Sequence, residues 1–176
     1  MGDEMAPRPE FPFVIHPSEI GEKEQIFEIE ADSAQRDALA RRFDLIEIAS
    51  FKARMRLRRR HGGASLRLLG VVNACVVQRC VVTLGPVKSD VSHPFECIFS
   101  EENQRGRNDV MLNDEVEPLE GDVLDIGEVA SEELFLALDP YPRVPDAALT
   151  DFMPEADVGG KSRHPFAALA ALKGKK

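Results

Sequence analysis

The chain has no tryptophan, one tyrosine and ten phenylalanines in 176 residues. So few aromatics argue against a platform on which successive bases stack. Cysteine is scarce too. Cys75, Cys80 and Cys97 are an odd set, too small for a disulfide scaffold. A zinc site asks for close Cys-x-x-Cys pairs, because two thiolates must reach one tetrahedral ion. Cys75 and Cys80 stand Cys-x-x-x-x-Cys instead. That odd separation sends them to opposite faces of an unbulged strand. Buried free thiols are the plainer reading, and no metal or cofactor is expected.

Catalytic signatures are missing as well. The chain holds no Gly-x-Ser-x-Gly, no Walker loop and no His-Glu-x-x-His. Its four histidines are scattered, and each adjoins Pro or Gly, which suits surface turns. Glu132 and Glu133 are adjacent, so on a helix they point apart and read as solvated acids. The expectation is a protein that is not an enzyme.

No apolar run reaches the roughly 18 residues that a membrane-crossing helix needs. The N-terminus "MGDEMAPRPEFPF" lacks the charged-then-apolar order of a secretory signal. Ala6 stands where a myristoylation motif wants Ser or Thr. A soluble, cytoplasmic protein is expected, with no membrane partner. The formal net charge of -9 and pI near 5.0 make the whole chain a poor nonspecific ligand for nucleic acid. Any anion contact must be local.

Apolar content of 43% supports a packed core. Residues 1–10 read as a flexible N-terminus, and "FPFVIHP" as a short edge strand. "QIFEIEA" reads as a strand. A helix is predicted over 33–43, capped by Asp32 or Ser33, with Ala34, Ala38, Leu39 and Phe43 on one stripe. From Leu45 to Phe99 the pattern is β. A long strand bends near Ser50 and turns at "HGG". It resumes with Gly70 and Asn73 as bulge or bend points, turns again at "GPVKS" and returns through "DVSHPFECIFS". A second helix, "DIGEVASEELFLAL", starts on Asp125, with Glu128 completing a capping box. Ile126, Val129, Ala130, Leu134 and Ala137 form its buried stripe, widened by Phe135 and Leu138. Pro140 stops it.

These elements predict an α+β fold: a curled antiparallel meander with two helices, over residues 11–140. A Pro-rich linker follows over 141–164, then a short helical tail over 165–176. The tail's Phe166, Leu169 and Leu172 are candidate partner-binding residues, since a short apolar helix on a linker suits a partner's groove.

One stretch stands out chemically. In "FKARMRLRRRHGG" the even positions hold Lys52, Arg54, Arg56, Arg58 and Arg60, while the odd ones hold Phe51, Ala53, Met55 and Leu57. Period-two alternation puts the five cations on one strand face, in a row about 27 Å long at the usual strand rise. Such a row cannot face an apolar core. Either it is solvated, where it also discourages edge-to-edge aggregation, or it meets an anion. Arginine's fork matches phosphate bidentately, and Arg67 on the next strand extends the patch. These six residues are candidate RNA contacts. Between Glu101 and Asp139 the balance reverses to thirteen acids against two bases. That block is a rival occupant of the basic face, from within the chain.

Three blocks, "VVNACVVQRCVVTLGPV", "DIGEVASEELFLALDPYPRVP" and "HPFAALAALK", in this order and spacing, resemble the YceD-like family of large ribosomal RNA subunit accumulation proteins. The family was formerly a domain of unknown function, and the chain is most similar to its alphaproteobacterial branch. The resemblance implies a role in 23S ribosomal RNA accumulation or processing, with ribosomal RNA or a pre-ribosomal particle as partner. It implies no catalytic residues. Many members carry Cys-x-Arg-Cys in the sheet. This chain keeps Arg79 and Cys80 but has Val77 at the first position, and "DPYPRVPDA" has no cysteine. A four-cysteine metal site cannot be assembled from matching residues. The alternative function is a protein-interaction adaptor using the acidic segment or the tail.

Overall fold

The computed structural model describes residues 9–60, 65–101, 116–119 and 121–145. The described residues up to Pro145 belong to one unit. The "HGG" turn and the helical tail, with Phe166, Leu169 and Leu172, lie outside them.

The fold is α+β. Strands β2 (Gln25–Glu30), β3 (Glu47–Arg59), β4 (Ser65–Arg79), β5 (Pro86–Glu101) and β6 (Val116–Leu119) form one open sheet in that order. Pairing is antiparallel from β2 to β5, as the alternation predicts. Strand β6 departs from the meander by lying parallel to β5. Two short strands, β1 (Val14–Ile15) and β7 (Leu124–Asp125), make a separate antiparallel pair.

The long strands alternate because only one face is covered. Helices α1 (Ser33–Arg42) and α2 (Ile126–Leu136) pack on that face, α1 against β3 and α2 against β4 and β5. Phe51, Met55, Leu57, Leu68, Val72 and Val76 are fully buried beneath them. The Phe51 ring meets Phe11 at 5.2 Å between centroids. Burial of this apolar area supplies the main driving force for the layer.

Helix α1 starts with a reciprocal cap. Gln35 N–H donates to Asp32 Oδ1 at 2.8 Å and Asp32 N–H donates to Gln35 Oε1 at 2.9 Å. Its buried stripe is Leu39, Ala40 and Phe43, and Ala34, expected on the stripe, is exposed. Helix α2 is capped by Asp125, as expected. Its Oδ1 accepts from Gly127 at 3.0 Å, Glu128 at 3.1 Å and Phe13 at 2.8 Å. Glu128 does not close a capping box. Its carboxylate turns to Arg42 with contacts of 2.5 and 3.0 Å, a bidentate charge-assisted pair stronger than a neutral cap bond. Glu10 joins the same guanidinium at 2.9 Å, and the two carboxylates raise its pKa. Phe135 does not widen the buried stripe either. It is 53% exposed, with its ring against Phe43 at 5.2 Å.

The sheet's irregularities fall partly where expected. The register shifts between Ile48 and Ser50, at the predicted bend. Gly70 and Asn73 stay in continuous register on both sides, so neither is a bulge. Gly70 is required for a different reason: any Cβ there would overlap the Phe95 ring. Gly127 is similar, because its Cβ would strike the Phe11 carbonyl and the Phe13 amide. The second hairpin turn comes earlier than "GPVKS". It occupies Val81–Gly85 with Leu84 at φ 60°, and Pro86 already opens β5. Pro94 lies in β5 where β4 is its one strand neighbour in the register, a place where a missing N–H breaks no second ladder.

Candidate nucleic-acid interface

The face of the sheet opposite the helices carries the predicted basic row. Lys52, Arg54, Arg56 and Arg58 all stand exposed on it, between buried Phe51, Ala53, Met55 and Leu57. Arg60 follows the end of β3 and is half-buried; its N–H donates to Ser65 O at 2.8 Å. Arg67 is brought beside them, since the β3–β4 register sets it opposite Arg58. Arg59, the residue that breaks the alternation, has a structural task. Its side chain donates to the carbonyls of Ile20 at 2.9 Å and Pro17 at 2.5 Å, and its backbone N–H to Gly21 at 2.8 Å. It pins the turn before β2 to the sheet.

The row is not bare. Strand β2 lies next to it, and the register sets Glu30 opposite Lys52, Glu28 opposite Arg54 and Ile26 opposite Arg56. Lys52 Nζ is 3.0 Å from Glu30, Arg54 Nε 3.2 Å from Glu28 and Arg56 Nη1 3.9 Å from Glu24. On β4, Arg67 grips Glu96 with bonds of 2.6 and 3.0 Å, which hold the Glu96 carboxyl below its ordinary pKa. The acids of these pairs come from β2, the residue before it and β5; residues 102–115 and 120 of the acidic stretch 101–139 lie outside the described residues. Among the described residues, Arg58 has no carboxylate within ion-pair distance.

These glutamates escaped the sequence reading, although a signal was present. Glu24, Glu28 and Glu30 share one parity, as the cations do. The pairing of β2 with β3 runs through α1 rather than a tight turn, so no turn residue announced it. The pairs are weak. In the Lys52–Glu30 and Arg54–Glu28 pairs every side chain is about 60–69% exposed. Such pairs contribute about 0–1 kcal/mol and are screened by salt. A phosphate can therefore exchange for a carboxylate at little cost.

On its other side the row borders a neutral strip. The β3–β4 register sets Lys52 opposite Asn73, Arg54 opposite Val71 and Arg56 opposite Leu69. Beyond them, Ser92 and Pro94 continue the strip on β5. Arg54, Arg56, Leu69, Val71 and Pro94 line a shallow depression of about 440 Å³.

Elsewhere the chemistry is dispersed. All three cysteines are free. Cys75 and Cys80 fall on opposite faces as their spacing predicts, but Cys75 is half-buried on the outer face, so not every thiol is a core residue. Cys80 Sγ accepts from Thr83 at 3.3 Å and from Val82 and Val144 at 3.4 Å, and these bonds, Thr83 foremost, lower its thiol to about 6. Burial, followed by the charges of Glu117 and Glu133, pushes Cys97 up to about 12. Glu133 also approaches His93 at 3.3 Å. Among the described residues, no three His, Cys, Asp or Glu side chains are grouped to hold a metal, and no helix is long and apolar enough to cross a membrane.

An open sheet with one helix-covered face and one exposed face of paired charges defines the class: a small α+β protein. The family model of the large ribosomal RNA subunit accumulation protein YceD matches residues 68–173, and the chain belongs to that family. No curated protein and no solved structure matches the chain. The matched span begins after Arg67. The basic row on β3 is thus a reading of this chain's own residues, while Phe166, Leu169 and Leu172 fall within the match.

Proposed function

We propose that this chain is a non-enzymatic, cytoplasmic factor in ribosome biogenesis that supports 23S ribosomal RNA accumulation by touching RNA phosphates with its outer sheet face. Family membership supports the role in large-subunit RNA accumulation. The observation that carries the contact is the exposed row Lys52, Arg54, Arg56 and Arg58 on one face, ending in an arginine without a carboxylate partner among the described residues. Arg60 and Arg67 flank that end of the row. Guanidinium groups held loosely by exposed glutamates can transfer to phosphate, releasing counterions as they do.

The test is a salt titration of binding to large-subunit RNA or its precursor particles. Reversing Arg54, Arg56 and Arg58 to Glu should weaken binding and flatten the log-log salt slope by roughly two to three units, about 0.7 to 0.9 for each lost phosphate. An unchanged slope rejects these residues as contacts.

A second reading, a protein-interaction adaptor, draws on the far end of α2. Leu136 is 73% exposed and Phe135 over half exposed, beside a depression of about 500 Å³ that Val81 and Pro142 help to line. Deleting residues 146–176, which hold Phe166, Leu169 and Leu172, tests whether a co-purifying protein depends on that segment.

A further inference from the structure

The outer face is organised in parallel stripes, and their order has a consequence for what can lie on it. Glu28 and Glu30 on β2, with Glu24 just before it and Ile26 between, flank the cations of β3, and Asn73, Val71 and Leu69 lie beyond on β4, with strands about 4.8 Å apart. Along Lys52, Arg54 and Arg56 the cationic stripe is one strand wide, and at its end Arg67 of β4 stands opposite Arg58 with its guanidinium bonded to Glu96. On one flank a phosphate would meet Glu24, Glu28 and Glu30; on the other it would meet an uncharged strip and then Glu96.

We propose that this face takes a single RNA strand, and that Glu24, Glu28 and Glu30 determine this by denying a second row of phosphates a place. The inference rests on the phosphate-contact reading above. A single strand needs one line of cations. Its phosphates follow Lys52, Arg54, Arg56 and Arg58, and its sugars and bases turn away from the glutamates onto Leu69, Val71 and Pro94. Val71 is over a third exposed there, and the depression beside Arg54 and Arg56 lies on the same flank. A duplex presents two phosphate rows at once, and single-stranded segments offer bases that can splay onto a surface. The second row would fall on β2 carboxylates or on the neutral strip. Like charges at such distances repel, and a phosphate left on aliphatic side chains gains no partner. Without aromatics the strip adds modest base contact, so phosphates carry the affinity.

The glutamates also set a threshold. Lys52, Arg54 and Arg56 each already have a carboxylate within 3.0 to 3.9 Å, so a polyanion gains only the difference between phosphate and carboxylate at three of the four positions. That keeps a chain of net charge -9 from accepting polyanions at large.

The experiment compares the full chain with the variant Glu24→Gln/Glu28→Gln/Glu30→Gln. Its probes are an oligouridylate and an RNA duplex of equal length, titrated at several salt concentrations. The wild type should hold the single strand about tenfold more tightly than the duplex. The variant should gain on the duplex by about tenfold, the scale of two or three exposed ion pairs, and lose most of the preference. An equal strand-to-duplex ratio in both proteins overturns the role of the glutamates. The contact reading then still stands if reversal of Arg54, Arg56 and Arg58 abolishes binding to both probes. If the wild type holds neither probe at low salt, or the arginine reversal changes nothing, the contact reading itself falls and a protein ligand takes its place. A thermal melt checks the fold. Glu28→Gln alone, at a pair whose members are both two-thirds exposed, gives the same readout in smaller size should the triple variant unfold.

Discussion

The two faces of β3 are built from alternate residues of one strand and obey different rules. Phe51, Met55 and Leu57 are fully buried beneath helices, while Lys52, Arg54 and Arg56 project from the same backbone into solvent. On the covered face a side chain is held by close packing, so shape matters to the methylene. On the outer face the side chains are held by ion pairs that water and salt loosen. One face therefore carries stability and tolerates little change. The other can be rewritten almost freely, and is the face on which a ligand can act.

That contrast can be broken most forcefully at Phe51. Phe51→Ala empties a fully buried site against Phe11 and should cost about 3–5 kcal/mol in denaturant unfolding. A loss under about 1 kcal/mol would mean that the covered face is not the core. Gly127→Ala comes next, at about 1–3 kcal/mol, because the new methyl meets backbone atoms of Phe11 and Phe13 that cannot rotate away. Asp125→Ala should cost about 1–2 kcal/mol, since one carboxylate oxygen serves three N–H donors at the start of α2.

A smaller effect shows as a slope with pH. The Cys80 thiol, lowered to about 6 in the fold from an ordinary 9.0, releases its proton earlier than the unfolded chain does. The unfolded state then binds more protons between those values, so the thermal midpoint should rise from pH 6 toward 9 and this contribution fades as pH falls through 6. Cys97, raised to about 12, is protonated in both states across that window and opposes only above pH 9. Cys80→Ala should flatten the rise; an unaltered slope would rule out Cys80 as its source. The smallest change is expected at Arg54→Ala, within about 0.5 kcal/mol by the same unfolding measurement, despite its ion pair with Glu28. A large loss there would erase the distinction between the faces.

Much of this architecture could be read directly from the chain. Parity along residues 51–60 separates the two faces without knowledge of any partner strand, because successive side chains in a strand must alternate. Asp125 and Pro140 bracket α2 through local hydrogen-bonding rules. Less legible was whatever depended on a partner distant in sequence. Phe135 looks like a core residue by spacing, yet in the fold it stays over half exposed with its ring against Phe43. Glu128 looks like a cap until Arg42 arrives from α1.

The amino-acid order by itself determined which side chains share a strand face, where the helices begin, and that Lys52, Arg54, Arg56 and Arg58 would stand in one line, since each of these follows from backbone periodicity over a few residues. What neutralises that line was decided by the tertiary structure. Strand β2 reaches β3 through a helix, and β6 joins β5 in parallel, by long-range packing that no local pattern encodes. That packing laid Glu24, Glu28 and Glu30 beside the arginines and turned a basic strand into a striped face.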